Sequence, residues 1–177
     1  MKATGEVMSL GRTLEECMLK AVRSLEIGVC HMYMAKFDDY TTDALMDYIA
    51  IGTDDRIYAI AELLRRGVDI SLIASATKID MLFIEKINNI VIMENAVKAG
   101  KGNIEVLKDA KKMGFSDKYI AKLWNCPEID IYNLRKANGI VPVYKMIDTC
   151  GAEFASYVSY FYSTYENENE SVVSDKK

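Results

Sequence analysis

"FSDKYIAKLWNCPEIDIYNLRKANG", residues 115–139, is the stretch that decides the fold. Ser116 stands before a run with apolar residues at helical spacing, where its hydroxyl can accept a free amide of the first turn. The run stops at Asn125 and Cys126. Pro127 then opens a second run at a position where its missing N–H costs no bond, and Gly139 closes it. Two short helices about a tight turn are the outline of a helix-turn-helix. Charge decides whether it reads DNA. The second helix carries Glu128 and Asp130 in its first turn, facing where phosphates would lie, and Arg135 and Lys136 near its other end. Both placements suit the helix dipole and neither suits a recognition helix. A solvated helix hairpin is the better reading, with Trp124, Ile129 and Leu134 expected to hold it on the core.

The same punctuation extends outward in both directions. Thr13 and Glu16 form a capping box before Leu14, Cys17, Met18, Ala21, Val22 and Leu25, so a helix is expected from Leu14 to Ile27, closed at Gly28. Thr42 and Gly52, Thr53 and Gly67, Thr77 and Gly100, and Asn103 and Gly114 bracket four more helices, and Asp69 opens a short one through Ser75. The Thr77 helix is the longest. Its Ile79, Leu82, Phe83, Ile87, Ile90, Val91 and Val97 cover more than one stripe, which predicts a central position. The expected fold is all-α, about eight helices in a compact irregular bundle of two small helical subdomains. Short extended segments are expected at 4–11, as a strand, and at 140–148, where β-branched residues surround Pro142. Neither has an evident sheet to join, which suggests missing partners.

Composition narrows the function. The net charge is -4, with 22 basic residues against 26 acidic, so no basic footprint attracts a polyanion. The four cysteines (Cys17, Cys30, Cys126, Cys150) form no C-x-x-C pair. With the single His31 they do not make a zinc site. No phosphate-cradling loop and no nucleophile elbow occur. His31, inside the apolar "VCHMYMAKF", is read as packed or surface-exposed rather than catalytic. The aromatic run "YVSYFYSTY", 157–165, lacks interleaved basic residues and is read as a packing or interface element. No signal peptide or membrane-length apolar run is present, so a cytoplasmic location is expected. Residues 29–37 show no period and are read as a loop. Its Met32, Tyr33, Met34 and Phe37 are residue types enriched in interface cores, and are expected either to lid the helices beneath or to contact another copy.

Both ends of the chain resemble one family. "MKATGEVMSLGRTLEECMLKAVRSLEIG" is similar to the end of the first ATP-grasp unit of the carbamoyl phosphate synthetase large subunit, running into its next helix. "LRKANGIVPVYKMIDTCGAEFASYVSYFYSTYENE" is similar to the segment leading into the second unit. "DDRIYAIAELLRRGVDI", "TKIDMLFIEKI" and "KKMGFSDKYIAKL" resemble the central helical part. The resemblance implies the non-catalytic oligomerisation (connection) domain of a glutamine-hydrolysing enzyme of arginine and pyrimidine biosynthesis. It divides the chain into 1–12, the extended end of a preceding ATP-grasp domain, and 13–140, the helical domain. A connector at 141–165 and a polar linker at 166–177 follow. The parent would be an ATP-dependent ligase using Mg or Mn, with one half making carboxyphosphate and carbamate and the other phosphorylating carbamate. Its expected partners are the flanking ATP-grasp domains, other large subunits and a glutaminase small subunit. The resemblance carries over no catalytic, cofactor or metal residue, and neither nucleic acid nor membrane is an expected partner. The alternative is a stand-alone helix-turn-helix nucleic-acid-binding protein.

Overall fold

A computed structural model describes residues 6–151, 153–154 and 160–171. Among them are eight α-helices: α1 (Leu14–Ser24), α2 (Thr42–Ala50), α3 (Arg56–Arg65), α4 (Ile70–Thr77), α5 (Met81–Ala99), α6 (Ile104–Lys112), α7 (Asp117–Trp124) and α8 (Glu128–Ala137). A single 3₁₀ turn, Ala35–Phe37, lies in the loop between α1 and α2. The all-α expectation holds.

α5 is the axis of the bundle. It touches α1, α3, α4, α6 and α7. Ile84, Ile87, Ile90, Val91 and Val97 on its surface are all buried. A helix apolar on several sides must be enclosed on several sides, so the central position follows from its composition. α7 and α8 form the hairpin, and α2, α3 and α4 close the other flank.

Three helix ends follow the glycine rule in full. After α3, Gly67 N–H donates to Leu64 O and Val68 N–H to Leu63 O. After α6, Gly114 donates to Lys111 O and Phe115 to Ala110 O. After α8, Gly139 donates to Lys136 O and Ile140 to Arg135 O. Each glycine has a positive φ. This is the paired-bond helix stop in which the residue after the glycine folds back as an apolar plug, and Phe115 and Ile140 are buried. α7 stops the same way with Asn125 in the left-handed position.

Other boundaries move. α1 ends at Ser24, not Ile27, because Glu26 already turns left-handed at φ 55°. Thr42 lies inside α2, whose cap is Thr41. Thr53 does not cap α3, which begins after Asp55. Thr77 belongs to the end of α4, where its hydroxyl donates to Ile73 O, and Asp80 caps α5 instead. Asp69, Asn103 and Ser116 cap as expected. Pro127 is the residue before α8 rather than its first.

The extended segments also differ. Residues 6–11 form no strand, and 4–5 lie outside the described residues. β1 (Val143–Met146) does find a partner. It pairs antiparallel with β2 (Phe161–Thr164), with Val143 opposite Thr164 and Met146 opposite Phe161. The partner strand lies within the aromatic run, whose residues 157–159 fall outside the described residues. Single-chain pattern reading misses such a pair, because the pairing spans a long gap and no tight turn announces it.

Candidate functional site

The two ends of the described chain meet on α1, at Glu16. This carboxylate is 1% exposed. It accepts the Arg12 N–H at 2.7 Å and the Thr164 hydroxyl at 3.2 Å, and pairs with the Lys20 ammonium at 2.8 Å. Lys20 spends its remaining donors on Leu10 O and Ser163 O, both at 2.6 Å. One i,i+4 pair on α1 therefore grips both the incoming segment, through Leu10 and Arg12, and the returning strand β2, through Ser163 and Thr164. A buried carboxylate survives only when paired and hydrogen-bonded. Each of its partners is held by the cost of losing it.

Local sequence explains the placement. Thr13 Oγ1 accepts the Glu16 N–H at 3.2 Å, which is half of the capping box. The other half reaches Arg12 rather than Thr13, one residue further back, and so captures the incoming chain. Two glycines let backbone close on the site. A Cβ at Gly11 would stand 2.8 Å from Glu16 Oε2, and one at Gly114 would stand 3.0 Å from Glu16 Cα. Arg23, about two turns beyond Glu16 along α1, donates to Gly114 O at 2.7 Å. Burial lowers the Arg23 pKa.

A second buried network ties the hairpin to the same helix layer. Asp117, in the first turn of α7, pairs with Lys111 at 2.8 Å and Arg135 at 2.7 Å. Burial depresses the Lys111 ammonium despite that partner. Both cations also lie near the Tyr165 ring, at 4.9 and 5.9 Å from its centre, just beyond β2. Arg135, which a DNA reader would extend to phosphate, is turned inward.

The residues expected to hold the hairpin fare unequally. Trp124 is buried, and its Nε1 donates to Val97 O on α5 at 2.7 Å. Leu134 packs partly buried on the core. Ile129 does not: it is 58% exposed, and Ile131, at 1%, takes its place. Residues 129 and 134 lie about 140° apart around a helix, whereas 131 and 134 share a face.

The loop 29–37 takes the first of its two expected roles at Met32 and Phe37, as a lid on the helices beneath. Met32 and Phe37 are buried core residues, so neither is a contact surface. Two arginines at the end of α3 lash the loop down. Arg65 donates to Met32 O at 2.6 Å, and Arg66 to Tyr40 O at 2.6 Å and Phe37 O at 3.1 Å. Tyr33 and Met34 stay partly exposed. Beneath the loop, Glu94 of α5 is 2% exposed and binds Arg65 at 2.9 Å and Lys98 at 2.7 Å. Burial would raise its carboxyl, but Arg65 and Lys98 outweigh that and hold it low. His31 stacks on Tyr119 with ring centres 3.7 Å apart. Buried beside these cations, it is pushed down to about 3 and is neutral. The sequence signal for this network is the "RR" of "ELLRR", two adjacent arginines just before Gly67.

No group of three or more metal-ligating side chains occurs among the described residues. No helix among them is long and apolar enough to cross a membrane. The fold and its junction define a helical module in which the segment before α1 and the strand β2 meet on one helix. Residues 6–139 match the family described as the carbamoyl-phosphate synthetase large chain, oligomerisation domain, and the chain belongs to that family.

Proposed function

We propose that this chain is the non-catalytic connector of the large subunit of glutamine-hydrolysing carbamoyl phosphate synthetase, a cytoplasmic ligase of arginine and pyrimidine biosynthesis. It holds the two ATP-grasp halves at a fixed separation and mediates association between large subunits. In this reading residues 1–12 end the first half, 13–140 are the helical domain, and 141–165 with the linker 166–177 lead to the second. ATP and its Mg or Mn ions bind in the halves, and the glutaminase small subunit delivers ammonia to them. The chain itself supplies neither nucleophile nor phosphate site.

The observation that carries the reading is the Glu16–Lys20 clasp. A connector between two catalytic units must fix the angle at which chain enters and leaves, and here one ion pair with a buried carboxylate holds both. Two halves that share a labile carbamate need that geometry, since a misplaced half lets the intermediate hydrolyse. The test is Glu16→Gln with Lys20→Met in the full-length subunit. Each half should keep its partial ATPase reaction, while more ATP is consumed per carbamoyl phosphate formed. An unchanged ratio in a folded variant removes the clasp from the mechanism.

A further inference from the structure

Among the described residues β1 and β2 form a sheet of two strands, so each has an outer edge with no further strand beside it. An open edge presents N–H and C=O groups to any extended chain, and folded proteins cover such edges. On β2 the Lys20 ammonium takes the outward Ser163 carbonyl. On β1 the cover is residues 169 and 170. Tyr144 N–H donates to Asn169 Oδ1 at 2.9 Å, and Met146 N–H donates to Glu170 Oε2 at 2.7 Å. The Tyr144 carbonyl accepts the Glu170 N–H at 2.8 Å. Two of these three bonds use side-chain oxygens, so the segment satisfies the edge as a third strand would, without extending the sheet. Glu170 Oε1 accepts from the Lys145 ammonium at 3.1 Å, and Glu168 lies 3.6 Å from the same group. That charge pairing holds the Glu170 carboxylate in register with the edge.

We propose that Asn169 and Glu170 are a guard that keeps the β1 edge from pairing with β1 of a second copy. The edge is self-complementary. In a two-fold antiparallel pair centred on Lys145, Tyr144 of one copy stands opposite Met146 of the other, and their outward groups bond across the dyad. The surface beside the edge favours such a pair. Tyr144, Met146 and Phe161 are 47%, 50% and 42% exposed, and Met146 lies directly opposite Phe161 in the ribbon. Pairing would join this apolar surface to its mate in a four-stranded sheet, which is more stable than a lone two-stranded ribbon. The guard prevents this by occupying the donors and by setting a carboxylate over the edge. The site is separate from the junction at Glu16, so the connector reading stands or falls independently of it.

The test replaces both guard residues, which are exposed and outside the helices and strands, in the 177-residue chain. In dilute Asn169→Ala/Glu170→Ala protein the Tyr144 and Met146 amides should exchange with deuterium at least about tenfold faster than in the parent. In concentrated protein they should become protected again. Sedimentation velocity should then show association at least about tenfold tighter than the parent's. Adding Met146→Pro should return association to the parent's level, because proline removes an N–H that points away from β2 and leaves the β1–β2 pairing in place. Circular dichroism should show the same helix content in every variant. Unchanged amide exchange, association no tighter than the parent's, or added association that survives Met146→Pro overturns the proposal. So does loss of helix in the double variant, since the two residues would then support the fold rather than guard an edge.

Discussion

His31 is buried as a neutral imidazole, and that makes the fold sensitive to acid. Its folded pKa is about 3 against an ordinary 6.5. Between those values the unfolded chain binds a proton that the folded chain does not. Stability is therefore lost as pH falls below about 6.5, by about 1.4 kcal/mol per pH unit from this group. Glu94, whose carboxyl is held low by Arg65 and Lys98, loses stability in the same direction at lower pH. Denaturant midpoints of the chain and of His31→Phe, measured from pH 7 to 4.5, should diverge by about 2–3 kcal/mol in the parent's loss relative to the variant's. Parallel curves would mean the imidazole is protonated in place. At Trp124 two effects separate. Trp124→Phe removes the indole bond to the Val97 carbonyl, which still accepts the Gly100 N–H, and should cost about 0.5–1.5 kcal/mol. Trp124→Ala adds a cavity and should cost about 3–5 kcal/mol. Ile129→Ala, at an exposed site, should stay within about 0.5 kcal/mol, and urea titration of the three variants checks the order.

Helix ends were the most legible elements, and the reason is chemical. Gly67, Gly114 and Gly139 end their helices as read, because only a left-handed residue allows the paired stop and glycine adopts it without strain. Threonines were less informative. Thr13 caps α1, but Thr42, Thr53 and Thr77 do not cap the helices assigned to them, since Thr41 and Asp80 compete one to three residues away. Gly28 and Gly52 lie beyond their helices and serve the loops. What a local reading could not supply was non-local: the pairing of β1 with β2, and the arginines of α3 that pull the loop 29–37 into the core. The Glu16 clasp was half visible, as a capping box, but its partners Ser163 and Thr164 are far along the chain. The glycine stops can be ranked. Gly67→Ala and Gly139→Ala meet open space and carry only the left-handed penalty, about 1–2 kcal/mol. Gly114→Ala adds a Cβ 3.0 Å from the α1 backbone at Glu16 and should cost more than either. Thermal unfolding of the three variants should place Gly114→Ala lowest.

Across the whole molecule, the exposed apolar surface indicates where association can occur. Of the four contact candidates in the loop 29–37, only Tyr33 and Met34 are open, and each only in part, too little to centre an interface that needs about 800 Å² from each partner. The first turn of α5 is different. Met81, Leu82 and Phe83 are consecutive and 47%, 51% and 44% exposed, so the helix end projects apolar side chains in several directions at once. Exposed Lys78 and Asp80 stand beside them, opposite charges that a two-fold pairing of copies could match across its rim. The family is named for oligomerisation of the large chain, and a second copy is the occupant this surface suits. Sedimentation velocity of the 177-residue chain should show self-association that Leu82→Asp and Phe83→Asp each weaken by on the order of thirtyfold, the effect of losing an anchor worth about 2 kcal/mol. Met34→Asp should leave it unchanged. Phe37→Asp is a separate case, because a charge at that buried site should unfold the chain. Circular dichroism on the same samples distinguishes unfolding from dissociation. Association that survives both α5 variants in folded protein would move the interface elsewhere on the bundle, and loss with Met34→Asp alone would return it to the loop.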